Sequence, residues 1–322
     1  MTRLERIILR SPPIAFLLKK SQSWVLPGFR GFPLYDVGNY YLKQVEKIGL
    51  YERAAAISFN LVMALPAAVL FLFTLIPYFP ESDKLRGEIL RLFRNISPNK
   101  TTYGFISDIL ELLEKQHVGL FSFGFVLLIF YSSNAMMGVI RTFDKSIKEK
   151  TGHFLHRRFR AIRITFILMV LVLISSLLLF VSREQIESIL RKVFHAKREG
   201  MKTFYFWWGW VRWAAIISLL FYGISLVYKF APSVKKRWRL LSAGSVLATL
   251  LTLTTTILFS YWVNNFGSYN KIYGSIGTVM IFMILIYINS LILLIGFELN
   301  VTIVYLTKEA EERKLKEAGH QH

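Results

Sequence analysis

The sequence contains no cysteine, which excludes disulfides, a thiol nucleophile and cysteine-ligated metals. Histidine is scarce and scattered, at His117, His153, His156, His195, His320 and His322. His153 and His156 form an HxxH pair in a basic segment, but no carboxylate lies close enough in sequence to suggest a metal set. No HExxH, Walker A, GxSxG or GxGxxG arrangement is present, so the sequence offers neither a catalytic motif nor a nucleotide, cofactor or metal site, and the chain reads as a non-enzyme. β-rich segments, tandem repeats and low-complexity tracts are missing too. Acidic residues number 20 against 40 basic ones, a formal net charge of +20. The N-terminal MTRLERIILRSPPIAFLLKK begins with basic residues, but Pro12 and Pro13 break its apolar run and no small-residue cleavage site follows. It does not read as a signal peptide, and the first long apolar stretch is expected to target the chain to the membrane.

What the chain has in quantity is apolar length. Of its 322 residues, 54% are hydrophobic and 15% aromatic. The apolar residues gather into six stretches, at about 54–79, 119–140, 162–181, 205–228, 240–263 and 273–305. Crossing the hydrocarbon core as a helix takes about 20 mostly apolar residues, and each stretch reaches that length. Backbone polar groups inside lipid must satisfy one another, so such stretches form helices. The fold class is therefore all-α and polytopic: six transmembrane helices with short amphipathic helices at the interfaces.

The basic charge lies between these stretches and sets an orientation. Alternate connections and both termini together carry 26 Lys and Arg, whereas the opposite side carries 13. By the positive-inside rule both termini of this multi-pass protein are expected in the cytoplasm. The same reading accounts for the charge without nucleic acid. Residues 1–35 form a basic cytoplasmic arm, 36–306 the six-span domain and 307–322 a charged cytoplasmic tail. Val37, Tyr41, Val45 and Ile48 recur at helical spacing, which predicts an amphipathic helix along the inner surface. Similar stripes occur in the first outer loop (Leu85, Ile89, Leu92, Ile96, then Ile106, Ile109, Leu110, Leu113) and in the third connection (Ile186, Ile189, Leu190, Val193). The aromatics between Thr203 and Trp213 read as an interfacial belt.

Polar residues inside the spans are the functional candidates, because a buried charge or amide in lipid is costly. At about 1.5 Å per residue, Asn134 and Asn289 lie about 20 Å from the outer end, and Asn60 a turn or two from the inner one. Glu298 is deeper towards the cytoplasm, level with Arg53 and Arg141, while Arg212 lies in the outer third of its span. Two readings stand side by side. Asn60, Asn134, Asn289 and Glu298 line a recess with Arg53 or Arg141 pairing Glu298, or the amides join helices and the charges reach the interface. Gly244, Ala248, Thr252, Thr256 and Ser260 lie four apart and form a small-residue ridge for close helix packing. Pro66 removes a hydrogen bond inside the first span and predicts a kink.

Four segments carry a family resemblance: ERAAAISFNLVMALPAAVLF at 52–71, YSSNAMMGVIRTFDKSI at 131–147, YKFAPSVKKRWR at 228–239 and SYNKIYGSIGTVMIFMILIYINSLILLIGFELN at 268–300. Over about residues 40–305 the chain resembles the YihY/BrkB family of bacterial inner-membrane proteins, once labelled ribonuclease BN. Gly274 and Gly277, in YGSIG, and Glu298, in GFELN, fall in its most specific segment, where Phe297 replaces a residue that is often small. The resemblance implies six spans and an inner-membrane address, with helix-packing roles for Gly274 and Gly277. It implies no settled chemistry, although family links to envelope lipid movement favour transport over hydrolysis. The expected function is handling of an anionic envelope lipid or related amphiphile, with membrane lipids as partners. Arg212 would then be an outer headgroup contact and Arg53 or Arg141 an inner one. The alternative is an envelope scaffold without transport, and a nuclease is disfavoured. A homo-oligomer or an envelope protein partner stays open.

Overall fold

The computed structural model describes residues 19–75, 118–147, 153–180, 198–234, 238–265 and 269–319. Residues 1–18 of the basic arm, the stripes of the first outer loop and the stripe at 186–193 lie outside them. The long helices among the described residues are α1 (Leu34–Ile48), α2 (Leu50–Leu75), α3 (Val118–Ser146), α4 (Phe154–Phe180), α5 (Arg198–Phe230), α6 (Ala243–Asn265) and α7 (Tyr269–Gly319).

Local sequence explains where these helices begin and end. Pro33 stands at the N-cap of α1 in extended conformation, and Gly49 closes it in the left-handed region at φ 63°. A left-handed residue costs glycine little, so the chain turns there by 69° into α2. The stripe expected on α1 faces inward: Val37 is 1% exposed and joins Phe29 and Ile303 in a small core, while Val45 packs against the main one. α7 runs 51 residues, about 77 Å at helical rise and far beyond what a bilayer core requires. The segment expected to be a separate tail thus continues the last span as helix. Between Thr307 and Gly319 it is rich in Lys, Glu, Ala and Arg with neither proline nor internal glycine, and Arg313 pairs with Glu309 at 2.7 Å.

Five helices are each long and apolar enough to cross a membrane, and the α1–α2 pair brings the number to six when it is taken as one bent span. α2 to α7 touch in cyclic order, each against its chain neighbours, and α7 closes the ring against α2. α1 lies against α7. Burial is concentrated at one end of this ring, the end where α2 and α6 begin and α3 and α5 finish. There Ala54, Ile57, Met137, Ile140, Phe143, Ala161, Ile164, Tyr228, Ala248, Leu294 and Phe297 form one core. Towards the other end the helices present Ile257, Leu258, Tyr261, Val279, Phe282 and Ile284 outward. Lipid is as apolar as these side chains, so packing and hydrogen bonds, rather than escape from water, hold the ring together.

Candidate functional site

The basic end of the ring contains three polar clusters that fasten the helices to one another. In the first, Arg53 of α2 meets Glu298 of α7 inside the protein, with Glu298 0% and Arg53 6% exposed. Nη1 of Arg53 donates to Oε1 of Glu298 at 3.0 Å. Its Nη2 donates to the Ser146 hydroxyl at 2.7 Å and to the Thr142 carbonyl, both on α3. The Ser146 hydroxyl in turn donates to the same Glu298 oxygen, and the Ser146 carbonyl accepts from Tyr305 at 3.2 Å. Two charges this far from water are tolerable only because each is paired and hydrogen-bonded. Oε2 of Glu298 and the Thr302 hydroxyl one turn along α7 are buried without a hydrogen-bond partner among the described residues. The Glu298 charge reaches α1 as well: burial first, then this carboxylate, pushes the Tyr41 phenol up to about 12.

An aromatic stack stands next to this cluster in sequence, since Phe143 follows Thr142 and Phe297 precedes Glu298. Phe297, beside Glu298 in sequence and 0% exposed, stacks on Phe143 at 3.7 Å and 4° and lies 5.3 Å from Trp238. Centroids 3.7 Å apart in nearly parallel planes put Phe143 and Phe297 face to face with little offset, and both rings belong to the buried core. The large residue at 297, noted in the sequence for its bulk beside Glu298, is therefore packed into the main core against Phe143, Tyr228 and Trp238.

The second cluster is centred on Asp144 of α3. One carboxylate oxygen accepts from the Ser233 backbone N–H at 2.9 Å, and the other accepts from the Ser233 hydroxyl at 3.0 Å. Arg157 of α4 stands 4.0 Å from that second oxygen. Arg160 donates to the Ser233 hydroxyl at 3.0 Å and to the Ala231 carbonyl at 3.1 Å. This bracket ties α3, α4 and the end of α5 together. In the third cluster Asn300 of α7 accepts from the Gly244 N–H at 2.9 Å and donates to Ser242 at 3.0 Å, capping α6 from outside it. A β-carbon on Gly244 would run into the Gly296 carbonyl, and one on Gly296 would lie 2.5 Å from the Gly244 carbonyl. Here α6 and α7 cross backbone to backbone.

The residues singled out from the sequence divide accordingly. Arg53, not Arg141, is the partner of Glu298, since Arg141 points outward from α3. The three amides stay apart from the pair. Asn60 donates to Ala56 at 2.7 Å and Asn289 to Leu285 at 2.9 Å, each within its own helix, and Asn134 is exposed. Of the ridge on α6, Gly244 and Ala248 are buried, Thr252 is half-buried, and Thr256 and Ser260 are exposed. The neighbour follows the ridge for its first turns only. Gly274 and Gly277 lie within α7, and their surroundings fall outside the described residues. Arg212 sits on α5 about 8 Å inside the apolar window that starts at Trp207, between the exposed Trp210 and Trp213. Its Nε is buried, and Arg212 has no hydrogen bond or ion pair among the described residues.

Sequence reading passed over Ser146, Asp144, Ser233, Arg157, Arg160 and Asn300. Asp144 carried a signal, being one of two acidic residues among the eight basic ones between Arg141 and Arg163. Asn300, two residues after Glu298, belonged to a quoted motif without being recognised as polar. Ser146 and Ser233 fall within the family segments at 131–147 and 228–239, but neither has a periodicity or charge that marks it out.

A ring of apolar helices fastened by buried polar brackets defines an integral, polytopic α-helical membrane protein. The chain belongs to the family described as Virulence factor BrkB, whose sequence model matches residues 41–322. The ribonuclease-like protein YfkH of Bacillus subtilis is 27% identical over 250 residues, which span 77% of this chain and 88% of that protein. A UPF0761 membrane protein of Haemophilus influenzae is 23% identical over 285 residues, 87% of this chain and 99% of the relative. Another, from Tolumonas auensis, is 33% identical over 109 residues, 30% of this chain and 36% of the relative. The UPF0761 names describe membrane proteins, and together the names define no enzyme for the family. No solved structure matches the chain.

Proposed function

We propose that the protein binds and moves an anionic amphiphile of the bacterial envelope, a phospholipid or related lipid, from a seat in the inner membrane with both termini in the cytoplasm. The observation that carries this reading is Arg212. A guanidinium keeps its charge under all physiological conditions, holding it within an apolar span is expensive unless a counter-charge is near, and Arg212 has no ion pair among the described residues. An anionic headgroup supplies that counter-charge. The exposed Trp207, Trp210 and Trp213 around it suit the headgroup boundary, while acyl chains stay among the outward apolar residues of α6 and α7. Arg53 is committed to Glu298, so headgroup binding rests on Arg212 and the pair acts as a fastening of the basic end. The orientation is supported by the basic residues crowded at that end, among them Lys145, Arg158, Lys229 and Arg239.

The test is a quenching assay on sealed vesicles containing the full chain and a fluorescent phospholipid. The protein is expected to move labelled phosphatidylglycerol faster than labelled phosphatidylcholine. Arg212→Ala is expected to remove the difference and Arg212→Lys to keep part of it. Movement no faster than in protein-free vesicles, or an unchanged preference in Arg212→Ala, overturns the proposal and leaves the scaffold reading.

A further inference from the structure

The outward face of α3 carries a polar group that the bundle leaves unpaired. Asn134 is exposed and makes no hydrogen bond among the described residues. It lies twelve residues before the end of α3 at Ser146, so about 18 Å up the helix and well within a core about 30 Å thick. Phe123, Val126 and Phe130 precede it at helical spacing on the same face, each more than half exposed. Asn60 of α2 borders this face, with its amide against Gly138. Asn60 and Asn289 donate within their own helices and Asn300 bonds across to α6, whereas Asn134, exposed and without a hydrogen bond among the described residues, offers two donors and an acceptor to hydrocarbon.

We infer that this face of α3 is the contact between two copies of the chain, with Asn134 of each copy hydrogen-bonded to Asn134 of the other. A carboxamide is its own complement. Around a two-fold axis the N–H of one meets the C=O of the other, and the reverse bond forms at the same time. The Arg158 guanidinium of α4 lies over the Phe130 ring at 5.4 Å, and a neutral amide does not by itself select a charged headgroup. Phe123, Val126 and Phe130 would then pack across the axis above the amide pair. Asparagine is among the side chains that join helices in lipid through such bonds.

The absence of native cysteine makes a clean test available. Phe130→Cys and, separately, Val126→Cys are introduced into the full chain and oxidised with copper phenanthroline in membranes. A disulfide-linked dimer is expected from both, and little from Ile257→Cys, which sits 69% exposed on α6. Adding Asn134→Leu to Phe130→Cys should lower the yield. Photobleaching counts in bilayers at graded protein density should show the Asn134→Leu dimer weakened about 3- to 15-fold. Monomers at every density, equal linkage at position 257, linkage to a different protein, or a dimer indifferent to Asn134→Leu would each overturn the inference. None of these readouts depends on lipid movement.

Discussion

Replacing Glu298 with glutamine removes a charge and almost nothing else. The side chain keeps its shape and an oxygen for the Ser146 hydroxyl, but Arg53 is left buried with neutral acceptors alone: the Thr142 carbonyl, the Ser146 hydroxyl and the new amide oxygen. Removing one partner of a buried pair typically costs about 3 to 5 kcal/mol, and the surviving acceptors place this variant near the lower figure, about 3 kcal/mol. Arg53→Met alone leaves the carboxylate stranded and should cost as much or more. The double variant Arg53→Met/Glu298→Gln holds no buried charge, so most of the loss should return, with a coupling of about 2 kcal/mol or more between the two positions. The assay is unfolding in mixed micelles of rising dodecyl sulfate content, followed by helix circular dichroism for all four proteins. A Glu298→Gln cost below about 1 kcal/mol, or a double variant equal to the sum of the singles, would refute the claim that this pair fastens α2 to α7.

Gly296→Ala should destabilise by more than the about 1 to 3 kcal/mol usual for overpacking, because the new methyl meets the Tyr228 hydroxyl, the Gly244 carbonyl and Ala248 together. Gly209→Ala, with no described atom within 4 Å of the added carbon, is the matched control and should leave the melting temperature unchanged or slightly raised. Asn300→Ala should cost about 1 kcal/mol in the same unfolding assay by uncapping Gly244, and Asn300→Asp, which keeps the acceptor, should cost less.

The helices were legible from the chain because lipid imposes a length and a composition that show directly in the residues. The α1 stripe was legible too, since Val37, Tyr41 and Val45 repeat at the helical period. Pairing was only half legible. Depth put Arg53 and Arg141 level with Glu298, but depth says nothing about which way a side chain points. Thr142 and Ser146 turn inward on α3 while Arg141 turns outward. The ridge on α6 showed the same limit, since periodicity marks a face without saying how far a neighbour stays beside it. Beyond Ala248 the small residues run on into exposed Thr256 and Ser260. The Asp144 bracket depends on Ser233 in a connection between helices, where no period exists to read.

Arg53 and Glu298 are 245 positions apart, and this separation bears on biogenesis. A ribosome delivers α2 to the membrane long before it makes α7. Through most of synthesis Arg53 therefore waits without its counter-charge, with Ser146 and the Thr142 carbonyl joining it only when α3 arrives. The ring cannot be locked until nearly the whole chain has been translated. A message truncated before α7 would leave the five helices α2 to α6 and an Arg53 without its counter-charge. The same bond that fastens α2 to α7 thus cannot form until the last span has been made.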